Sequence, residues 1–143
     1  MRNSGRVIVM VAAAVVAIGA GLLISKMVAG LWQPVTPTVV EPQLSSLAVQ
    51  GKTVFEANCA SCHGKSAIGT DKGPPLVHNI YNPGHHADGA FFLAAKRGTR
   101  QHHWKFGDMP AQPQIKDEQI QAIVKYVREL QLANGIQFQP HNM

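Results

Sequence analysis

The sequence predicts an all-α protein: an N-terminal transmembrane helix, a linker, and a small helical domain with long loops. Three observations predict it. Val7 to Ile24 is a run of eighteen residues without a charge. Three later stretches repeat apolar residues at helical spacing. No stretch alternates with period two over the length of a strand.

At 1.5 Å per residue the first run is about 27 Å long, close to a bilayer core. Met27 to Trp32 extends it to an interfacial aromatic, and Lys26 is long enough to snorkel. Arg2 and Arg6 precede the run, so the positive-inside rule keeps the N-terminus cytoplasmic and exports the rest. A cleaved signal peptide has a shorter apolar region, roughly 7–15 residues, so an uncleaved anchor over residues 1–32 is expected. Small-residue sites such as Val28-Ala29-Gly30 leave cleavage open.

Residues 33–46 read as an extended linker, because Pro34, Pro37 and Pro42 remove donors and fix φ. The soluble domain then runs over 47–143. Its first helix places Leu47, Gly51, Val54, Phe55 and Cys59 on one face, with Ser45 or Ser46 as the cap. In "DGAFFLAAKRG" Asp88 is the expected cap, Phe91, Ala94 and Ala95 the stripe, and Gly98 the stop. In "KDEQIQAIVKYVRELQLANG" Ile120, Ile123, Val124, Val127 and Leu130 form the longest stripe. Asp117 and Glu118 suit its start, and Gly135 suits the position past its end.

The chain's formal charge of +5 shrinks in the soluble part to ten Lys/Arg against seven Asp/Glu, or +3. That is too little to argue for nucleic acid. Lys96, Arg97, Arg100 and Lys105 form a local cluster that reads as a steering surface for an acidic partner or as plain solvated surface.

The two cysteines lie in "CASCH", Cys59 to His63. Two intervening residues favour a redox or cofactor role over a structural disulfide. A thioredoxin-like pair needs a βαβ context, which is missing. A zinc site needs about four ligands, and there is no second cysteine pair. C-x-x-C-H is also the attachment signature of c-type haem. Two thiols at the end of a helix can add to neighbouring vinyl groups on the porphyrin edge, and His63 then faces the iron.

Further features follow in order: Gly51 with Phe55 four residues later, Gly73-Pro74-Pro75-Leu76, Met109-Pro110, and an aromatic, Tyr126, in the last helix. With the haem motif, they make the chain resemble the class I cytochrome c family from Leu47 to Gly135. The resemblance implies a small helical domain wrapped around one covalent haem c. It implies that Tyr126 packs over Gly51 and that the Pro74 carbonyl takes the second ring proton of His63. It implies that Met109 is the sixth ligand. The ligand accounting agrees, since the other methionine of the domain, Met143, is the last residue. Leu76, Ile80, Leu93, Phe106 and Ile115 are candidate pocket walls, and Arg100 and Trp104 candidate donors to the haem propionates.

Filling both axial positions with His63 and Met109 leaves no site for a substrate, which favours electron transfer over catalysis. The expected function is a one-electron carrier on the periplasmic side of a bacterial inner membrane. Residues 7–32 would lie in the lipid, and a bc1-type reductase and a terminal oxidase would be the partners. The alternatives are a haem subunit of a larger membrane dehydrogenase or oxidase, and a haem enzyme or sensor with a labile Met109. The resemblance leaves His78, His85, His86, His102, His103 and His141 unexplained. They read as loop residues, some bonding the propionates; the sharper alternative is a second metal site, for copper, between His85-His86 and His102-His103. Adjacent residues rarely aim at one ion, which weighs against it.

Overall fold

The structure, a computed structural model, describes residues 3–31 and 38–140. Arg2, Trp32, Pro34, Pro37, His141 and Met143 lie outside the described residues. The chain forms two compact units, Met1–Thr36 and Pro37–Met143.

The first unit is helix α1, Asn3–Leu31, 29 residues long. Its described side chains are mostly apolar and exposed, among them Ile8, Met10, Val11, Leu22, Leu23 and Met27. The Ser25 hydroxyl donates to the Leu22 carbonyl within the helix. Among the described residues no helix is long and apolar enough to cross a membrane. The expected transmembrane segment is therefore not carried by the fold and rests on the sequence of Val7 to Ile24.

The second unit is helical, with helices α2 (Ser46–Asn58), α3 (Ala60–His63), α4 (Asp88–Arg97) and α5 (Asp117–Ala133). Short 3₁₀ turns sit at Lys65–Ala67 and Asn79–Tyr81. Among the described residues the only β pairing is an isolated antiparallel bridge, Thr99 with Met109.

Helix α2 starts where the Ser45 hydroxyl accepts the Ala48 N–H at 3.3 Å. It buries Ala48, Gly51 and Phe55. Leu47, expected on that face, is 45% exposed, and Ala48 takes its place. Helix α5 buries all five expected residues of its stripe. The two helices cross closely because Gly51 has no side chain: a Cβ there would collide with the Ala122 carbonyl. Gly51 thus lies against the α5 backbone at Ala122 and Ile123. One turn along each helix, Tyr126 pairs with Phe55 at a ring-centroid distance of 5.5 Å.

Helix α4 is capped by Ala87, one residue before the expected Asp88. Asp88 is engaged elsewhere, accepting from Arg128 Nε at 2.7 Å. Gly98 and Gly135 follow α4 and α5 with φ of +74° and +77°, as stop residues do.

Residues 38–45, within the expected linker, have no helix or strand but are fastened to the domain. Val39 and Leu44 pack against the core. The Val40 N–H and carbonyl both pair with the Asn134 amide at 2.9 Å. The Ser45 N–H donates to Glu129 Oε2 at 2.9 Å. Glu41 accepts from Lys52 at 2.7 Å, Ser66 at 2.8 Å and Tyr126 at 3.2 Å.

Candidate haem site

The end of α2 sets the geometry of the "CASCH" turn. The Cys59 carbonyl accepts from the N–H of Cys62 at 3.1 Å and of His63 at 2.9 Å, which winds α3. Gly64 leaves the helix at φ +75°, and the Gly69 N–H returns to the His63 carbonyl at 2.6 Å. Thr70 Oγ1 donates to the Cys62 carbonyl at 2.5 Å. A Cβ on Gly73 would press on Cys62 at 2.9–3.1 Å, so this glycine lets the following loop close over the motif.

His63 is 9% exposed. Its Nδ1 donates to the Pro74 carbonyl at 2.9 Å, which leaves Nε2 as the bare nitrogen. Burial lowers its pKa, with the Pro74 bond opposing. Burial, then the neighbouring Cys62, pushes the Cys59 thiol up to about 11.

A cavity of about 440 Å³ opens between α2, α4, α5 and the loops, within the usual range of roughly 300–1,000 Å³ for cofactor pockets. Cys59, His63, Pro74 and Met109 all line it. So do Arg100 and Trp104, and four of the five expected wall residues, Leu76, Leu93, Phe106 and Ile115. Ile80 is not among the lining residues; its carbonyl instead accepts from His86 Nδ1 at 2.8 Å. Cys62 is exposed and, unlike Cys59, is not among the lining residues.

Met109 is held by the bridge to Thr99, with N–H to carbonyl distances of 3.0 and 2.9 Å in the two directions. Gly98, at φ +74°, lets this loop pass close to the Met109 carbonyl. Trp104 Nε1 is buried without a hydrogen-bond partner. It lies close enough to the Tyr81 hydroxyl to oppose the rise that burial causes in that phenol's pKa, but makes no hydrogen bond of normal geometry.

The match to a family model decides the identity: residues 48–131 match the model of cytochrome c. The chain belongs to the cytochrome c family. This cytochrome c therefore carries a covalent c-type haem and works in haem-based electron transfer. The cavity suits that group. Its walls are apolar, one imidazole nitrogen is aimed and bare, and the buried Trp104 N–H lacks an acceptor that a haem carboxylate would supply.

The domain is 32% identical over 93 residues to the cbb3-type cytochrome c oxidase subunit CcoP of Rhodobacter capsulatus. It is 34% identical over 92 residues to FixP, the corresponding subunit of Rhizobium meliloti. It is 31% identical over 97 residues to cytochrome c oxidase subunit 2 of Alkalihalophilus pseudofirmus. These alignments cover 63%, 62% and 65% of this chain but only 31%, 29% and 28% of the relatives, so the chain spans about a third of their length.

Sequence reasoning missed Arg128. Its Nη1 donates to the Tyr81 carbonyl at 2.8 Å and to Gln131 Oε1 at 2.6 Å, and its Nη2 to the His86 carbonyl at 2.5 Å. Its guanidinium also lies 4.8 Å from the ring centre of Phe91. The buried Gln131 adds bonds to the Leu76 and Tyr81 carbonyls at 2.8 and 3.0 Å. Charge at the margin of the apolar stripe, four residues after Val124, was the only available signal, and by type it reads as surface. The expected basic cluster is also thinner than its sequence suggests. Lys96 is paired with Asp117 at 2.5 Å, leaving Arg97, Arg100 and Lys105 as its exposed members.

Four histidines meet on one side of the cavity. His86, His102 and His103 line it, and His85 Nε2 lies 3.2 Å from His103 Nε2. Burial, then the neighbouring imidazoles of His102, His86 and His85, lowers the pKa of His103.

Proposed function

We propose that this cytochrome c is a membrane-tethered one-electron carrier, with haem bonded to Cys59 and Cys62 and its iron held by His63 and Met109. The observation that carries the reading is the convergence of Cys59, His63 and Met109 on one cavity, with His63 already aimed by the Pro74 carbonyl. The haem supplies a one-electron iron couple. The protein's part would be to hold that group through Cys59, Cys62, His63 and Met109 and to exclude water from it. Pro74 fixes the imidazole and raises its basicity. The Thr99 bridge presents the Met109 thioether, a neutral soft donor that favours reduced iron and a high potential. Trp104 and Arg100 are the proposed donors to the propionates, a reading supported by their place on the cavity lining and by the buried Trp104 N–H.

Substitution of the thioether tests this directly. Ferric wild-type protein is expected to show the weak near-infrared band of Met–iron ligation. Met109→Ala is expected to lose that band and to lower the reduction potential. A band that survives the substitution rejects Met109 as ligand.

Residues 7–32 are the proposed tether, supported by the uncharged run Val7 to Ile24 and by the flanking Arg2 and Arg6. The haem domain then lies in the periplasm of a bacterial inner membrane. The proposed partners are a bc1-type reductase as donor and a terminal oxidase as acceptor. The names of the relatives, all oxidase subunits, favour the oxidase side and support a second reading, a bound subunit rather than a mobile carrier. Purification in mild detergent separates the two: a carrier comes away alone, and a subunit comes with stoichiometric partners.

A further inference from the structure

We propose that His85, His86 and His103, with His102 beside them, form a binding site for a divalent cation of the Zn²⁺/Cu²⁺ class on the wall of the haem cavity. The ligand atoms of His85, His86 and His103 all lie within 4.8 Å of one another. Two imidazole nitrogens bound to one tetrahedral ion at about 2.0–2.1 Å stand about 3.3 Å apart. The facing nitrogens here are at 3.2 Å for His85 and His103 and at 3.5 Å for His86 and His102.

The orientation of the rings is the stronger argument. His86 Nδ1 points at the Ile80 carbonyl and His102 Nδ1 at the Arg100 carbonyl, both at 2.8 Å. A carbonyl only accepts, so both Nδ1 atoms carry the proton. Both Nε2 atoms are then bare in the neutral rings, and they face each other lone pair to lone pair. A cation between them turns that apposition into ligation. A backbone carbonyl on the far nitrogen is also the usual way a metal-binding imidazole is aimed.

Both loops are braced before any ion arrives. Asn82 is buried; its carbonyl accepts from His85 N–H at 3.1 Å and His86 N–H at 2.9 Å, and its side chain from Gly84 N–H at 2.8 Å. Arg128 holds the His86 carbonyl from α5. On the other side, Asp108 accepts from the Gln101 N–H and Gln101 from the Gly107 N–H, each at 3.0 Å. Sequence adjacency counts against a site only when one pair must supply both ligands. Here two pairs on separate loops face each other. Because the second loop leads directly into Met109, an ion at this site staples the loop that carries the thioether.

The test uses the full-length, haem-loaded protein, stripped with chelator and titrated with Zn²⁺ against a chromophoric competitor. One Zn²⁺ per haem is expected, with three or more imidazole nitrogens at the zinc X-ray absorption edge. The double variant H85A/H103A is expected to bind about 100-fold more weakly. His78→Ala is expected to bind as wild type, since His78 is engaged with the Ile80 N–H and stands outside the cluster. Far-ultraviolet circular dichroism and a denaturation midpoint close to wild type in both variants verify the fold. Absence of saturable 1:1 binding, or affinity that survives in H85A/H103A, overturns the proposal. So does zinc binding that abolishes the near-infrared Met–iron band.

Discussion

Gly51 shows how one residue sets the distance between two helices. Its missing side chain lets α2 lie against the α5 backbone at Ala122, and that contact brings Phe55 onto Tyr126. Gly51→Ala has only backbone to displace, so the helices must part. A loss of about 1–3 kcal/mol is expected, read as a lower denaturation midpoint of the haem-loaded protein. Midpoints equal to wild type would mean that α2 and α5 are not as close as described. The sequence shows that Gly51 sits on the helical face of Phe55, but not which atoms of α5 it meets. For Trp104 the sequence offers a donor, and only the fold reveals that it is buried and unpartnered.

At the scale of elements, α5 does two jobs with two faces. Its apolar stripe was legible because the spacing of Ile120, Ile123, Val124, Val127 and Leu130 is local information. Arg128, between those residues, clamps the segment from Tyr81 to Phe91 through two carbonyls, a carboxylate and a ring. Arg128→Met keeps the stem and removes the donors. It is expected to cost about 1.5–3 kcal/mol, as for hydrogen bonds to a charged group. Hydrogen exchange is expected to quicken at the amides of His85 and His86 while the α2 amides stay protected. Uniform acceleration across the domain would instead mark Arg128 as a general stabiliser rather than a clamp. Asp88 illustrates a related limit: its type and position suit a cap, but a long-range partner, Arg128, engages it.

Across the whole molecule, residues 38–45 act as a strap rather than a free tether. Glu41 joins it to α2, to α5 and to the turn after the haem motif. The Lys52 hydrogen bond, against burial and with help from Ser66 and Tyr126, holds the Glu41 carboxyl below its usual 4.5. A depressed carboxylate contributes stability that is fully present above its unfolded pKa and is lost as pH falls through the folded value. The wild-type advantage over Glu41→Gln is therefore expected to be constant above about pH 5 and to shrink below the usual carboxylate pKa. Chemical denaturation of both proteins from pH 7 to pH 3 measures it. Parallel stability curves down to pH 3 would remove Glu41 from this role.

The sequence by itself determined three helices of the domain, α2, α4 and α5, the cysteine and histidine spacing of the haem motif, and the kinship of the chain. Each of these is written over a few consecutive residues, where the 3.6-residue period, the caps and the thiol spacing act. Tertiary structure alone decided which loops face each other, so that two separate histidine pairs became one cluster. It also decided that half of the expected linker is strapped to the domain, as in the bond from Val40 to Asn134, 94 residues away. Such contacts depend on the chain closing on itself around the cavity, and no local pattern carries that information.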